Sequence, residues 1–239
     1  MTMYKSLFAI ILVLTISACT TAELQSALGT VLGSGELTSA EIGSGLKQAL
    51  DIGISKGSDR LSQKDGYFKS AYKILLPEEA RKVTEKLQGI PGFSELEDNI
   101  LEKINRGAED AAKKAKPIFV NAIKQMTFSD ALNILMGDKD AATTFLHRTT
   151  YNQLYQEFNP VIINSLDKFN ARQYWSDAVN TYNKIPFVNQ ANPNLDDYVT
   201  KQALEGLFGM VAKEELNIRE NIGARTTDLL KKVFAKQDR

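Results

Sequence analysis

Signals for the start of a helix recur along this chain, and they restrict it to a fold made of many helices. Thr38-Ser-Ala-Glu41 and Ser94-Glu-Leu-Glu97 have the pattern of a capping box, in which a hydroxyl and a carboxylate satisfy backbone donors at a helix start. Thr127-Phe-Ser-Asp130 is predicted to cap a further helix. Pro77 followed by Glu78-Glu79 is typical of a first helical turn, where proline is tolerated and acids are favourable.

Stop signals divide the second half of the chain. Asp138 is predicted to cap a helix over about 139–157, and Asn159-Pro160 is predicted to break it. Further helices fit 161–169, 171–183, 195–221 and 226–236, with a long loop at 185–195. Only Tyr67 to Leu76 has the character of a short strand. We therefore predict a single all-α domain over 38–239, an irregular bundle of roughly eight to ten helices with little or no sheet.

A row of small residues runs along the first predicted helix, at Gly45, Ala49, Gly53 and Gly57. Each interior glycine costs about 1 kcal/mol of helix propensity relative to alanine. The row is explained if another helix crosses very close to it. The alternative is a backbone groove that holds a lipid chain.

The first eighteen residues have the features of a secretory signal, with Lys5 ahead of an apolar run from Leu7 to Ile16. The run is shorter than the roughly 20 apolar residues that span a bilayer. Cys19, the only cysteine, follows Ile16-Ser17-Ala18. This order resembles a bacterial lipobox, which implies cleavage before the cysteine and acylation of its thiol and of the new amino terminus. The alternative, a secreted protein with an incidental Cys19, leaves a lone thiol in an oxidising compartment.

The predicted lipid anchor gives a predicted location. Each buried acyl methylene contributes about 0.8 kcal/mol, so the acyl chains implied here hold the protein almost irreversibly. Thr20 stands where an Asp would resemble the signal for retention in the inner membrane. We therefore expect 1–18 to be a lipoprotein-type signal peptide and 19–37 a lipidated tether. The domain is then expected on the periplasmic face of the outer membrane of a two-membrane bacterium.

The charge balance argues against nucleic acid as a partner. The chain has 29 basic and 29 acidic side chains, and removal of the signal takes away Lys5 and no acid. The resulting net charge near zero, without a long run of one sign, does not suit a polyanionic partner.

Residues with a family resemblance are spread over nearly the whole mature chain. They are Gly45-Leu-Lys-Gln-Ala-Leu50, Leu76-Pro77, Asn105-Arg-Gly-Ala-Glu-Asp-Ala-Ala112, Gly137-Asp-Lys-Asp-Ala-Ala-Thr143, Asp197-Tyr-Val-Thr200, Gly206-Leu-Phe208 and Ala224-Arg-Thr-Thr-Asp-Leu-Leu-Lys-Lys-Val-Phe234. These segments resemble an uncharacterised family of bacterial lipoproteins, domain of unknown function 4197. The resemblance implies a helical lipoprotein and brings no assigned activity.

Familiar catalytic motifs do not occur in the sequence. There is no Gly-x-Ser-x-Gly elbow, His-Glu-x-x-His pair or phosphate-cradling loop. A zinc site or a Ser-His-Asp triad would need His147, the only histidine, which we interpret as a surface or interhelical hydrogen-bonding residue. Asp138-Lys-Asp140 lacks the later Gly and the bidentate Glu of a calcium loop, so helix capping explains it better. We predict no catalytic residue, no metal ligand and no cofactor.

Five polar residues within the family-like segments are candidates for a site. Asn105, Arg106 and Glu109 lie within one turn, with Arg106 and Glu109 facing each other at i+3. Arg219 and Arg225 flank the junction of the last two helices. One interpretation is that they form interhelical salt bridges and caps. The other is that they line a shared pocket for an anionic or amphiphilic ligand.

Two classes of function remain open. The first is a non-enzymatic envelope lipoprotein that binds a ligand or another protein through a groove between helices. The second is a hydrolase that acts on a cell-envelope component through carboxylates such as Glu109, Glu214 or Glu215. Two carboxylates facing each other in a cleft would favour the hydrolase. Carboxylates that are each engaged by an arginine would favour binding.

Overall fold

The computed structural model describes residues 37–168 and 170–235, and all regular secondary structure in these ranges is helical. The helices in chain order are α1 (Ser39–Leu61), α2 (Glu78–Leu87), α3 (Leu96–Ala112), α4 (Ala115–Gln125), α5 (Phe128–Met136), α6 (Ala141–Lys168), α7 (Ala171–Tyr182), α8 (Asp196–Glu220) and α9 (Asp228–Phe234), with a 3-10 turn at Ile222–Ala224. The predicted all-α class is confirmed. The predicted signal peptide, Cys19 and the tether up to residue 36 lie outside the described residues.

Two of the four predicted caps form. Thr38 and Thr127 each accept a hydrogen bond from the third residue of the helix that follows, and the side chains of Glu41 and Asp130 accept the reciprocal bonds. The capping box predicted at Ser94 is wrong, because α3 begins at Leu96 without a side-chain cap. Its intended carboxylate, that of Glu97, instead accepts a 2.9 Å hydrogen bond from the Thr84 hydroxyl of α2.

The predicted break at Asn159-Pro160 is also wrong, since α6 continues through Pro160 to Lys168. Proline removes one backbone hydrogen bond and crowds the preceding turn. Buried residues on either side, including Phe158 and Ile162, hold this helix against its neighbours. Packing in the core therefore overrides the local breaker, and the chain turns only at Asn170, whose φ is +52°.

The strand predicted between Tyr67 and Leu76 does not form. Residues 62–77, here called the α1–α2 connection, are a series of turns. Side chains of α3 form hydrogen bonds with backbone groups of this connection that a neighbouring strand would otherwise have satisfied.

Helices α6 and α8 form the centre of the described domain: α6 packs along α3 and α8, and α1 packs along α8. The small-residue row of α1 lies at these crossings. A Cβ added at Gly45 would come within 2.6 Å of Val233 in α9, and one at Gly57 within 3.1 Å of Met210 in α8. The cavity beside Gly53 has a volume of about 20 Å³, which holds about one water molecule and no lipid chain. The row therefore serves close helix packing.

Candidate functional site

Asn105 ties the α1–α2 connection to α3. The side chain is fully buried, and its amide nitrogen donates to the carbonyls of Ile74 (2.9 Å) and Leu101 (2.8 Å). Its amide oxygen accepts from the backbone N–H of Ile74 at 2.8 Å. The amide therefore satisfies both backbone groups of Ile74, as a paired strand would have done.

Glu109 and Arg106 hold the other end of the same connection. One oxygen of the buried Glu109 carboxylate accepts from the backbone N–H groups of Tyr67 and Phe68, both at 3.1 Å. The other accepts from Arg106 at 2.8 Å, which confirms the predicted i+3 pair. Arg106 also donates to Asp65 at 2.8 Å, and this guanidinium lowers the pKa of the Asp65 carboxyl below its usual value.

Glu215 serves the amino terminus of α6. One carboxylate oxygen accepts from the backbone N–H of Ala142 at 2.9 Å. The other accepts from the backbone N–H and the hydroxyl of Thr143, each at 2.8 Å. Glu215 thus satisfies the first-turn donors of α6 that were predicted to be capped by Asp138.

Arg219 joins that carboxylate to the end of α5. Its Nε and Nη2 donate to Glu215 at 3.0 and 2.8 Å, and Nη2 also donates to the Ile134 carbonyl at 2.8 Å. Arg225, which is 1% exposed, donates to the carbonyls of Ile218 (3.0 Å) and Arg219 (2.7 Å) near the end of α8. Both arginines therefore bind helix carboxyl termini, where cations are favourable.

The predicted site residues form two separate groups, one on α3 and one at the carboxyl-terminal end of α8. Tyr67, whose backbone binds Glu109, donates its hydroxyl to the carbonyl of Ala203 at 2.6 Å. Glu215 lies twelve residues further along α8, roughly 18 Å along the helix axis. The two groups tie different helices together, and their donors and acceptors are directed at the protein itself.

The remaining candidates from the sequence have ordinary surroundings. Glu214 lies 3.9 Å from Lys56. His147 is exposed, with its ring centre 4.9 Å from that of Tyr151 and 4.6 Å from that of Phe208. Within residues 37–168 and 170–235, no group of three His, Cys, Asp or Glu side chains is placed to hold a metal ion. In the same ranges no helix combines the length and apolar character needed to cross a bilayer.

A groove between α2 and α7 is a large concave surface of the described part of the chain. It consists of two adjoining hollows of about 560 and 400 Å³, which share Glu79, Gln190 and Ala191. The first hollow is also lined by Tyr182 and Phe187, together with Lys82, Glu85, Lys86, Val188 and Asn189. The second is also lined by Pro77, Ala80, Trp175, Asn192, Asn194, Leu195, Asp197 and Tyr198. We call this surface the α2–α7 groove, and its volume is in the range of ligand sites.

Asparagine side chains fix the loop that forms one wall of the groove. Asn183 donates to the Ala191 carbonyl at 3.2 Å and accepts from the Ala191 N–H at 2.9 Å, which closes the loop at its base. Asn192 accepts from the backbone N–H of Asn194 at 2.8 Å, and Asn194 accepts from that of Asp196 at 2.9 Å. The predicted loop at 185–195 is confirmed, and its wall is preformed.

Two aromatic residues of the groove have unusual features, one in its hydrogen bonding and one in its backbone conformation. Trp175 is 2% exposed, and its indole N–H is buried without an acceptor among the described residues. Phe187 is fully exposed and has a φ of +64°, a conformation that bulky residues rarely adopt. An unpaired buried donor and a strained backbone are both costly, and such features cluster at functional sites.

The loop is predictable from the sequence, but the groove is not. One wall comes from α2, and the other comes from the continuous stretch of α7, the loop and the start of α8, which is distant from α2 in the sequence. Two signals were present: Trp175 is the only tryptophan, and Phe187 lies in the apolar stretch Ile185-Pro-Phe-Val188 of an otherwise polar loop.

Comparison with known proteins gives one match. Residues 36–235 match a protein family described as Protein of unknown function (DUF4197). No curated protein and no solved structure matches the chain. The family resemblance stated from the sequence segments is therefore confirmed, and the match extends over all the helices described above.

Proposed function

We propose that this chain, a member of the family described as Protein of unknown function (DUF4197), is a lipid-anchored, non-enzymatic binding module of the bacterial cell envelope. The anchor rests on the order Ile16-Ser17-Ala18-Cys19. Binding rests on the α2–α7 groove, and the outer membrane is the expected location.

The hydrogen bonding of Glu109 and Glu215 is the observation that favours a binding function over hydrolysis. Every hydrogen-bond partner of these two carboxylates is a donor: backbone N–H groups, the Thr143 hydroxyl, and an arginine for each. Both carboxylates are thus committed to donors within the protein and are not directed at a substrate. A carboxylate hydrolase needs one acid that donates a proton to the leaving group.

The α2–α7 groove supplies what a binding module needs. A preformed concave wall lowers the entropic cost of ordering a loop when a ligand binds. Phe187 offers exposed apolar surface, and α2 and the loop offer polar groups at the edge. Such a mixture of aromatic surface and a few placed polar groups is the usual composition of a ligand site.

The test starts from the lipidated protein, purified from its own membranes in a mild detergent. Native mass spectrometry should detect a small molecule that stays bound to the wild type. The bound mass should be lost from Phe187→Ala and retained by Met136→Ala, a matched control that truncates another exposed apolar residue.

The opposite outcome is equally clear. The protein is incubated with isolated cell envelopes, and soluble fragments are analysed by mass spectrometry. Fragments released by the folded protein, but not by the heat-denatured one, would overturn the non-enzymatic assignment. If neither released fragments nor a bound molecule is found, a protein partner is the remaining ligand. Crosslinking in the envelope would identify it.

A further inference from the structure

We infer that the α2–α7 groove binds a neutral oligosaccharide. The inference rests on the proposed binding function and adds the chemical class of the ligand. Three properties of the groove support it: an exposed aromatic ring, free amide groups and balanced charge on the α2 wall.

Phe187 provides a platform for stacking. The ring is fully exposed at the rim of the larger hollow, and a left-handed backbone holds it there. One face of a sugar ring is made of C–H groups, which pack on the electron-rich face of an aromatic ring. A ring held in this way offers contact area at a low cost in conformational entropy, because only two side-chain angles need to be fixed.

The amides of Asn189 and Gln190 provide matching hydrogen-bond groups. Both residues line the larger hollow and are exposed, and their side chains have no hydrogen-bond partner among the described residues. In contrast, Asn183, Asn192 and Asn194 are occupied in shaping the loop. An amide offers two donors and an acceptor, as a sugar hydroxyl offers both roles, so the two groups pair in either direction.

The charges along the groove exclude a strongly ionic ligand. Glu79 and Glu85 alternate with Lys82 and Lys86 on the α2 side, so the wall has no net charge. Lys82 is also paired with Glu78 at 2.8 Å. Sites for phosphate or carboxylate ligands concentrate arginine or lysine instead. A neutral ligand with many hydroxyl groups fits this wall better.

Trp175 provides a reporter for the groove. The residue is among those that line the smaller hollow. Because Trp175 is the only tryptophan, its fluorescence reports on this groove without interference.

The test titrates the full lipidated protein, in detergent, with tetra-N-acetylchitotetraose while the emission of Trp175 is followed. We expect a saturable change in emission and a matching heat in calorimetry. Phe187→Ala should weaken binding by about tenfold or more, the effect of one hot-spot residue. Gln190→Ala should weaken it less, and Met136→Ala should bind like the wild type. All three variants should keep the melting temperature, because the replaced side chains are exposed.

Three outcomes would overturn the inference. They are no response to this sugar or to cellotetraose, binding that Phe187→Ala leaves unchanged, or binding of inorganic phosphate alone. The proposed function would survive any of them if native mass spectrometry still showed a molecule that Phe187→Ala releases. If the wild type also carried no bound molecule, the result would count against both the oligosaccharide inference and the proposed binding of a small molecule in the groove.

Discussion

Glu215 and Arg219 satisfy the ends of two different helices at once. The carboxylate accepts from the first backbone N–H groups of α6, and the guanidinium donates to the last carbonyls of α5. These groups have no partner within their own helices. The signs also match the helix dipoles, with an anion at an amino terminus and a cation at a carboxyl terminus. The pair thereby fixes the turn between α5 and α6 from the side of α8.

Arg219→Ala should therefore be strongly destabilising. It leaves the Glu215 carboxylate buried without its cation, and it leaves the Ile134 carbonyl with only the 3.3 Å hydrogen bond from the Gly137 N–H. Removing one partner of a buried ion pair costs on the order of 3–5 kcal/mol. Lys82→Ala is the control, since it breaks an exposed pair with Glu78, and solvent-exposed pairs contribute little to stability. Urea unfolding measures both, and equal losses would show that burial of the pair is unimportant.

The sequence predicted the partners that lie close to these residues in the chain and did not predict the partners that lie far away in the chain. The spacing of Arg106 and Glu109 predicted their ion pair because both lie on one face of a helix. Nothing in the spacing indicated that Glu109 also binds the backbone of Tyr67, more than forty positions away. Such contacts depend on how helices pack, which local patterns do not encode. The same limit explains why the role predicted for Asp138 belongs to Glu215.

The α1–α2 connection shows how side chains replace secondary structure. Its aromatic residues favoured a strand, but Asn105 and Glu109 satisfy its backbone from α3. Tyr67 then enters the core, and its burial raises the pKa of the phenol. Buried polar contacts override the local strand propensity here, as core packing overrides the helix-breaking effect of Pro160 in α6.

Glycine to alanine should have opposite effects in α1 and in this connection. At Gly53 the new Cβ meets Glu214 at an ordinary 3.5 Å, so Gly53→Ala should stabilise by about 0.4–1 kcal/mol through reduced chain entropy. At Gly66 it would lie 2.4 Å from the Arg60 carbonyl oxygen, so Gly66→Ala should cost on the order of 1–3 kcal/mol. Gly43→Ala, with nothing within 4 Å, gives the propensity effect alone. Thermal unfolding compares the three variants. A loss of stability in Gly53→Ala as large as that in Gly66→Ala would contradict the prediction.

The capping box of α1 should make stability depend on acid. The backbone N–H and hydroxyl of Thr38 and the Lys232 ammonium lower the pKa of Glu41 from 4.5 to about 2. A carboxyl whose pKa is depressed by folding stabilises fully above its unfolded pKa, and this contribution is lost as the pH falls through the folded value. Glu41→Gln should be less stable than the wild type near neutral pH, and the difference should disappear between pH 4.5 and 2. A difference that is constant across this window, measured by urea unfolding, would assign it to packing instead.

The α2–α7 groove is a property of the assembled domain. Two separate parts of the chain form it, so only their assembly places α2 opposite Trp175, Phe187 and the loop amides. Helix number and helix boundaries were largely predictable because caps, prolines and glycines are local signals. The groove was not, because no local signal states which helices become neighbours.

The proposed anchor is a separate property, because it would depend on Cys19 and on no residue of the helical domain. The thiol is the group that an acyl-transferring enzyme would modify, so Cys19→Ser should abolish incorporation of labelled palmitate in cells. The variant should then leave the membrane pellet, because the acyl chains are the proposed attachment. Thr20→Ser is the matched control: it makes a similarly small change one position later and keeps the thiol, so labelling and sedimentation should persist. Palmitate incorporation that continues in Cys19→Ser would show that the cysteine is not the acceptor, and the proposed attachment to the envelope would fail with it.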